Sequence, residues 1–179
     1  MTQQTKRLAY LFAIALALGS LSACGDDDNG EENDPNNNND APGMTALEEA
    51  CLHAREDIPL DRDASAERDD VDENIAGTHT HYRVNLPESG EEPDHYEGYI
   101  GYNIDDGDTY GLFTSSDMPV AIFDADGDEL SIDTQTVDEC PEIITQHTLE
   151  LDAGDHFLRF GPSSQSELST VSEILSEHH

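Results

Sequence analysis

Basic side chains are the scarcest feature of this chain: seven Lys and Arg, only one of them Lys, stand against 41 Asp and Glu. A protein that grips a phosphate backbone needs a basic stripe, so nucleic acid is excluded as a direct partner. Tryptophan is absent and aromatics make up only 6% of the chain, which leaves little to line a ligand-sized cleft. Mean hydropathy is -0.63 with 35% apolar residues, enough for one modest core in 179 residues and not for two. Catalytic signatures are missing as well: there is no Gly-x-Ser-x-Gly elbow, no His-Glu-x-x-His pair and no Gly-rich phosphate loop. With 41 carboxylates, a pair at glycosidase spacing carries no information. The expectation is a binding or structural protein, not an enzyme.

Acids are absent from residues 1–23, where Lys6-Arg7 precedes the apolar run Leu8–Leu18 and the small pair Gly19-Ser20. A charged start, a short apolar stretch and small residues make a secretory signal peptide, too short to span a bilayer. The following Leu21-Ser22-Ala23-Cys24 resembles the lipobox of bacterial lipoproteins, which implies that Cys24 is lipidated and becomes the new N-terminus. The plainer alternative is an ordinary signal peptide with a cysteine nearby. Removal of residues 1–23 takes away two bases and no acid, leaving five arginines against 41 acids and a formal charge of -36. Such a chain repels anionic surfaces and needs water and counter-ions around it. Its composition resembles that of halophile proteins, with cation collection as the rival cause. The predicted location is the cell envelope, lipid-anchored to the outer membrane or the cell surface.

Gly25–Gly43 holds no apolar side chain larger than Ala41, so residues 24–43 read as a disordered acidic tether behind the lipidated cysteine. A flexible chain of that length reaches about 25 Å. The Asp26-Asp27-Asp28 run resembles the acidic sorting signals of some surface-exposed lipoproteins.

Residues 44–179 carry period-two patterning, the mark of half-buried strands. Thr80, Tyr82, Val84 and Leu86 alternate with His79, His81, Arg83 and Asn85, and Tyr96, Gly98, Ile100, Tyr102 and Ile104 form a second face. Further strands are predicted over Tyr110–Thr114, Val120–Phe123, Leu130–Ile132, Ile143–Leu151 and about Leu158–Phe160. Leu168–Leu175 reads as strand or short helix, and Leu47–Leu52 as one or two helical turns. Turn residues recur between these runs, so the fold class is all-β: a single antiparallel sandwich of seven or eight strands. Crossover helices for a parallel α/β sheet are missing.

Within this pattern, FDADGDEL at 123–130 and LELDAGDHFLRFGP at 149–162 give a strand, an Asp-Gly hairpin and a later aromatic-bearing strand. That cadence resembles the secreted, jelly-roll-like modules related to bacterial pre-peptidase C-terminal domains, over roughly a quarter of the chain. With the lipobox and tether, the whole is similar to small lipoproteins of myxobacteria and their relatives. The resemblance implies an envelope or surface role and supplies no catalytic residue.

With Cys24 committed to lipid, Cys51 and Cys140 remain as an even pair in an oxidising compartment, which points to a disulfide. Its loop of nearly 90 residues contributes on the order of 4–5 kcal/mol in the chain-entropy model. The rival is two separate thiols, reactive or metal-binding, for which no Cys-x-x-Cys spacing speaks. The link would draw His53 toward the start of the strand bearing His147.

Histidines supply the candidate metal ligands. Strand geometry puts His79 and His81 on one face, where both reach a single Zn²⁺ or Cu²⁺, and His53, His147, His178 and His179 are available to complete the site. Arg83 on that face opposes a cation, and His147, in step with Ile143 and Leu149, also fits a hydrogen-bonded core residue. Asp124, Asp126 and Asp128 suggest calcium, but Gly127 falls fourth where an EF-hand needs it sixth, and Gln135 replaces the bidentate acid at position twelve. A hairpin turn is the better reading, with weak Ca²⁺ contact as the remainder. No resident cofactor is otherwise expected.

The leading expectation is a lipid-anchored envelope or surface sandwich in a binding or structural role, its membrane contact made through the anchor. A transition-metal-binding lipoprotein and a carbohydrate-binding or protease-accessory module are the alternatives. The partner, whether envelope protein, glycan or metal, stays open.

Overall fold

The computed structural model describes residues 44–76, 78–90 and 93–175. The signal peptide, Cys24, the acidic 24–43 segment, His178 and His179 lie outside the described residues. Chain order is α1 (Ala46–Glu56), β1 (Leu60–Asp63), a 3-10 turn (Arg68–Asp70), β2 (Asn74–Ala76), β3 (His81–Asn85), β4 (Tyr96–Ile104), β5 (Asp108–Thr114) and β6 (Val120–Phe123). It continues through β7 (Glu129–Leu130), β8 (Asp133–Thr136), β9 (Thr145–Leu151), β10 (Gly154–Ser163) and β11 (Glu167–Ile174). Two sheets form the sandwich, ordered β1-β3-β11-β5-β9-β8 and β2-β4-β10-β6-β7.

The alternating runs face each other as expected. Tyr82, Val84 and Leu86 from the first sheet meet Ile100, Tyr102, Ile104, Leu158 and Phe160 from the second, all buried in one core. Tyr102 reaches across it, its hydroxyl 2.5 Å from Ser172 Oγ on β11. Leu168–Leu175 resolves as strand over its first seven residues.

Three expectations need correction. The strand count exceeds seven or eight because β1, β2 and β8 are edge strands without apolar alternation; β8 is exposed at all four positions. The sandwich is not antiparallel throughout, since β1 pairs with β3 and β2 with β4 in parallel. From β1 to β4 the chain changes sheet at every step, so strands two apart in sequence become neighbours running the same way. Ile143 does not share a face with Leu149: it packs in a second cluster with Phe113, Val171, Val137 and the residues of α1.

That second cluster lies on the outer face of the six-stranded sheet. α1 runs to 11 residues, longer than expected, because a capping box at Thr45 and Glu48 starts it and Asp57 closes it with a backbone N–H to His53 O. Its apolar stripe of Leu47, Ala50, Cys51 and Ala54 covers Phe113 and Val171. Small side chains bury little area, about 0.8 kcal/mol per methylene-sized group, so the Cys51–Cys140 disulfide, with Cα atoms 6.1 Å apart, is the strongest tie holding the helix down. Among the described residues, no helix is long and apolar enough to cross a membrane.

Candidate metal centre

A second stripe of α1, beside the apolar one, carries Glu49, His53 and Asp57. Spacing of four places them one above another on the helix surface. The stripe overhangs the end of β11, where Glu173 projects from the helix-covered face, two residues on from buried Val171. Gly111 of β5 pairs with Glu173, and a Cβ there would lie 2.8 Å from both Phe113 Cε2 and Leu175 Cδ2, so only glycine lets those two side chains pack over that corner. The third wall is His79, held at φ 59° with its N–H donating to Ser172 O at 3.1 Å. It precedes β3 instead of lying in it, so strict alternation with His81 is broken.

These elements bring His53, His79 and Glu173 together, with one donor atom from each within 4.8 Å of the others. The His53 and His79 rings stand 5.6 Å apart. Nδ1 of His79 is 2.8 Å from Glu173 Oε2 and 3.7 Å from Glu49 Oε2. The short contact lacks hydrogen-bond alignment, and among the described residues neither oxygen of the fully buried Glu173 carboxylate accepts a well-formed hydrogen bond. Burial pushes this carboxyl up to about 7, with the adjacent His53 drawing it down, Glu49 adding to the rise and the backbone N–H of His79, which points mainly at Ser172 O, drawing it down a little. His53 differs: its Nδ1 is 2.7 Å from Asp57 Oδ2, which leaves Nε2 as the ring atom free to bind.

Two imidazoles and a carboxylate suit Zn²⁺ or Cu²⁺ better than Ca²⁺ or Mg²⁺, which take oxygen ligands. A tetrahedral zinc with bonds of about 2.0–2.2 Å sets its donors about 3.3–3.6 Å apart, so side-chain shifts of about an ångström gather this group around one ion. Glu49, on the solvent side, lies 3.7 Å from His79 but is not among the three donors that gather, so the rest of the coordination is left to solvent. A buried carboxylate without a hydrogen bond is costly alone and compensated beside a cation, so the donor set fits a divalent metal.

The other expected ligands are elsewhere. His81 is buried on β3 with Nδ1 3.3 Å from Asp57 O and is not part of the group. His147 faces the sandwich core, 2% exposed, its Nδ1 2.9 Å from Thr134 Oγ1, and burial lowers it to about 4. The disulfide forms, yet it brings His53 to His79 and not to His147, because α1 lies on the opposite face of the sheet from His147. In the 124–128 turn, Asp124 Oδ1 accepts from the N–H groups of Gly127 and Asp128. Arg68 Nη1 lies 2.0 Å from where a Gly127 Cβ would fall, so a cation there meets a guanidinium. Arg83 pairs with Asp61 at 3.2 Å.

Sequence reasoning missed Glu173, Glu49 and Asp57. For Glu173 a signal exists: it stands at period two between the apolar Val171 and Leu175. Glu49 and Asp57 lie four residues either side of His53 and disappear into the general acidity. No family model matches the chain, and no curated protein matches it.

Proposed function

We propose that this protein is a lipid-anchored, extracytoplasmic binding protein whose sandwich domain holds one divalent transition metal, Zn²⁺ or Cu²⁺, through His53, His79 and Glu173. The observation that carries the reading is Glu173: a buried carboxylate that accepts no well-formed hydrogen bond among the described residues, set against two imidazoles. Anchoring rests on the lipobox-like Leu21–Cys24, and a jelly-roll-like kinship with pre-peptidase C-terminal modules and myxobacterial lipoproteins rests on the 123–130 and 149–162 runs. An acidic surface would concentrate cations near such a site, adding to capture rate more than to affinity. The role is binding, with no catalytic step assigned.

Calorimetric titration of the oxidised protein with Zn²⁺ and Cu²⁺, in millimolar Ca²⁺ to saturate surface carboxylates, tests this. One site per chain tighter than about 100 μM, or about 5.5 kcal/mol, is expected, lost in His53→Ala and in His79→Ala. Wild-type binding no tighter than that, or undiminished in both variants, would overturn it. Palmitate labelling that survives Cys24→Ser would reject the anchor separately.

A further inference from the structure

We infer that Asp57 is a positioning residue of the metal site: it selects the tautomer of His53, keeping the ring proton on Nδ1 so that the Nε2 lone pair is presented to the ion. The inference rests on the metal reading above and adds a residue to it. Asp57 Oδ2 lies 2.7 Å from His53 Nδ1. A carboxylate only accepts, so Nδ1 donates the proton and Nε2 is left unprotonated in the neutral ring. Bound histidines commonly hold the distal N–H in this way, and loss of the orienting group weakens metal binding about 10–100-fold.

Asp57 is itself fixed from two further directions. Its N–H donates to His53 O at 3.1 Å as it closes α1, and its carbonyl oxygen lies 3.3 Å from Nδ1 of His81, which donates to it. The side chain therefore starts from an anchored backbone and needs little freedom removed to meet the ring. Three other groups flank His53: His79, Glu173 and, one turn back on the same stripe, Glu49. With Nδ1 held by Asp57, Nε2 is the His53 nitrogen left for the ion, so metal and proton are assigned to different nitrogens. Asp57 is 45% exposed, so its loss removes an orienting contact without opening the core.

Two readouts on the full oxidised protein test the role: long-range ¹H–¹⁵N correlation of the histidine rings without metal, and zinc affinity by competition with a chelating dye. Wild type should show His53 as the Nδ1–H tautomer. Asp57→Ala should convert it to Nε2–H and weaken zinc binding 10–100-fold, with the amide spectrum and disulfide intact. Asp57→Glu should restore most of both, which a purely structural cap would not do. An Nε2–H ring in wild type, or an Asp57→Ala protein with unchanged tautomer and unchanged affinity, overturns the inference. Wild type that shows Nδ1–H but binds no zinc brings down the metal reading and leaves only a helix-end hydrogen bond, which also ends the positioning role. Should Asp57→Ala fail to fold, Asp57→Asn, whose amide oxygen is a weaker acceptor, must give an intermediate loss.

Discussion

Cys51 and His53 stand two residues apart on α1, one bonded to Cys140 and the other turned toward His79 with ring centroids 5.6 Å apart. The covalent tie and the metal-binding group thus share a helix whose apolar stripe, apart from Leu47, is made of small side chains. Replacing both cysteines by alanine should lower stability by about 3–5 kcal/mol, read by urea denaturation. Zinc affinity should fall at least about tenfold, because His53 loses its fixed distance from β11. Unchanged affinity in a folded double variant would separate the disulfide from the site.

Glu173 should behave oppositely with and without metal. Its carboxyl titrates near 7 in the fold against an ordinary value of 4.5. A carboxyl held protonated in this way costs stability as pH rises from the unfolded value through the folded one, up to about 3 kcal/mol above pH 7. Glu173→Gln should therefore raise the metal-free melting midpoint at pH 8, leave it nearly unchanged at pH 4, and abolish the rise that zinc produces in wild type. A variant less stable than wild type at pH 8, or still stabilised by zinc, would contradict this role.

His147 contributes with the other sign. Its ring titrates near 4 when folded, against 6.5 ordinarily, through burial. Such a group stays neutral in the fold while the unfolded chain takes up its proton, so stability is complete above about pH 6.5 and falls by up to about 3 kcal/mol on the way to pH 4. His147→Asn, which keeps a polar partner for Thr134, should flatten that limb relative to wild type. Equal slopes between pH 6.5 and 4 in both proteins would refute it.

Legibility followed burial on two sides. Ile100, Tyr102 and Ile104 alternate because one strand face meets the core, and β4 was readable for that reason. Leu60–Asp63 and Asp133–Thr136 sit at sheet edges, where neither face needs apolar residues, and their composition is that of a loop. Among the site residues, His53 and His79 stood out because eight histidines stand against 41 acids; Glu173 and Asp57 did not, because in so acidic a chain an acid draws no notice. His81 and His147 have the right chemistry and the wrong surroundings, one beneath the end of α1 and one inside the sandwich. Only tertiary placement separates those cases.

Salt should stabilise the oxidised protein. Five arginines against 41 acids beyond residue 23 leave strong mutual repulsion. The Debye length shrinks from about 10 Å at 0.1 M to about 3 Å at 1 M, so the melting midpoint should climb with NaCl across that range. A flat midpoint would argue against adaptation to brine as the cause of the acidity.

X-ray absorption at the zinc edge, on oxidised protein loaded with one equivalent of Zn²⁺, reads the proposed ligands most directly. Two imidazole nitrogens, recognised by their ring multiple-scattering pattern, with one or two oxygens at about 2.0–2.2 Å, are expected. That pattern should vanish in the His53→Ala, His79→Ala double variant. An oxygen-only shell in wild type, as scattered surface carboxylates would give, contradicts the site, as does an imidazole pattern that survives loss of both histidines.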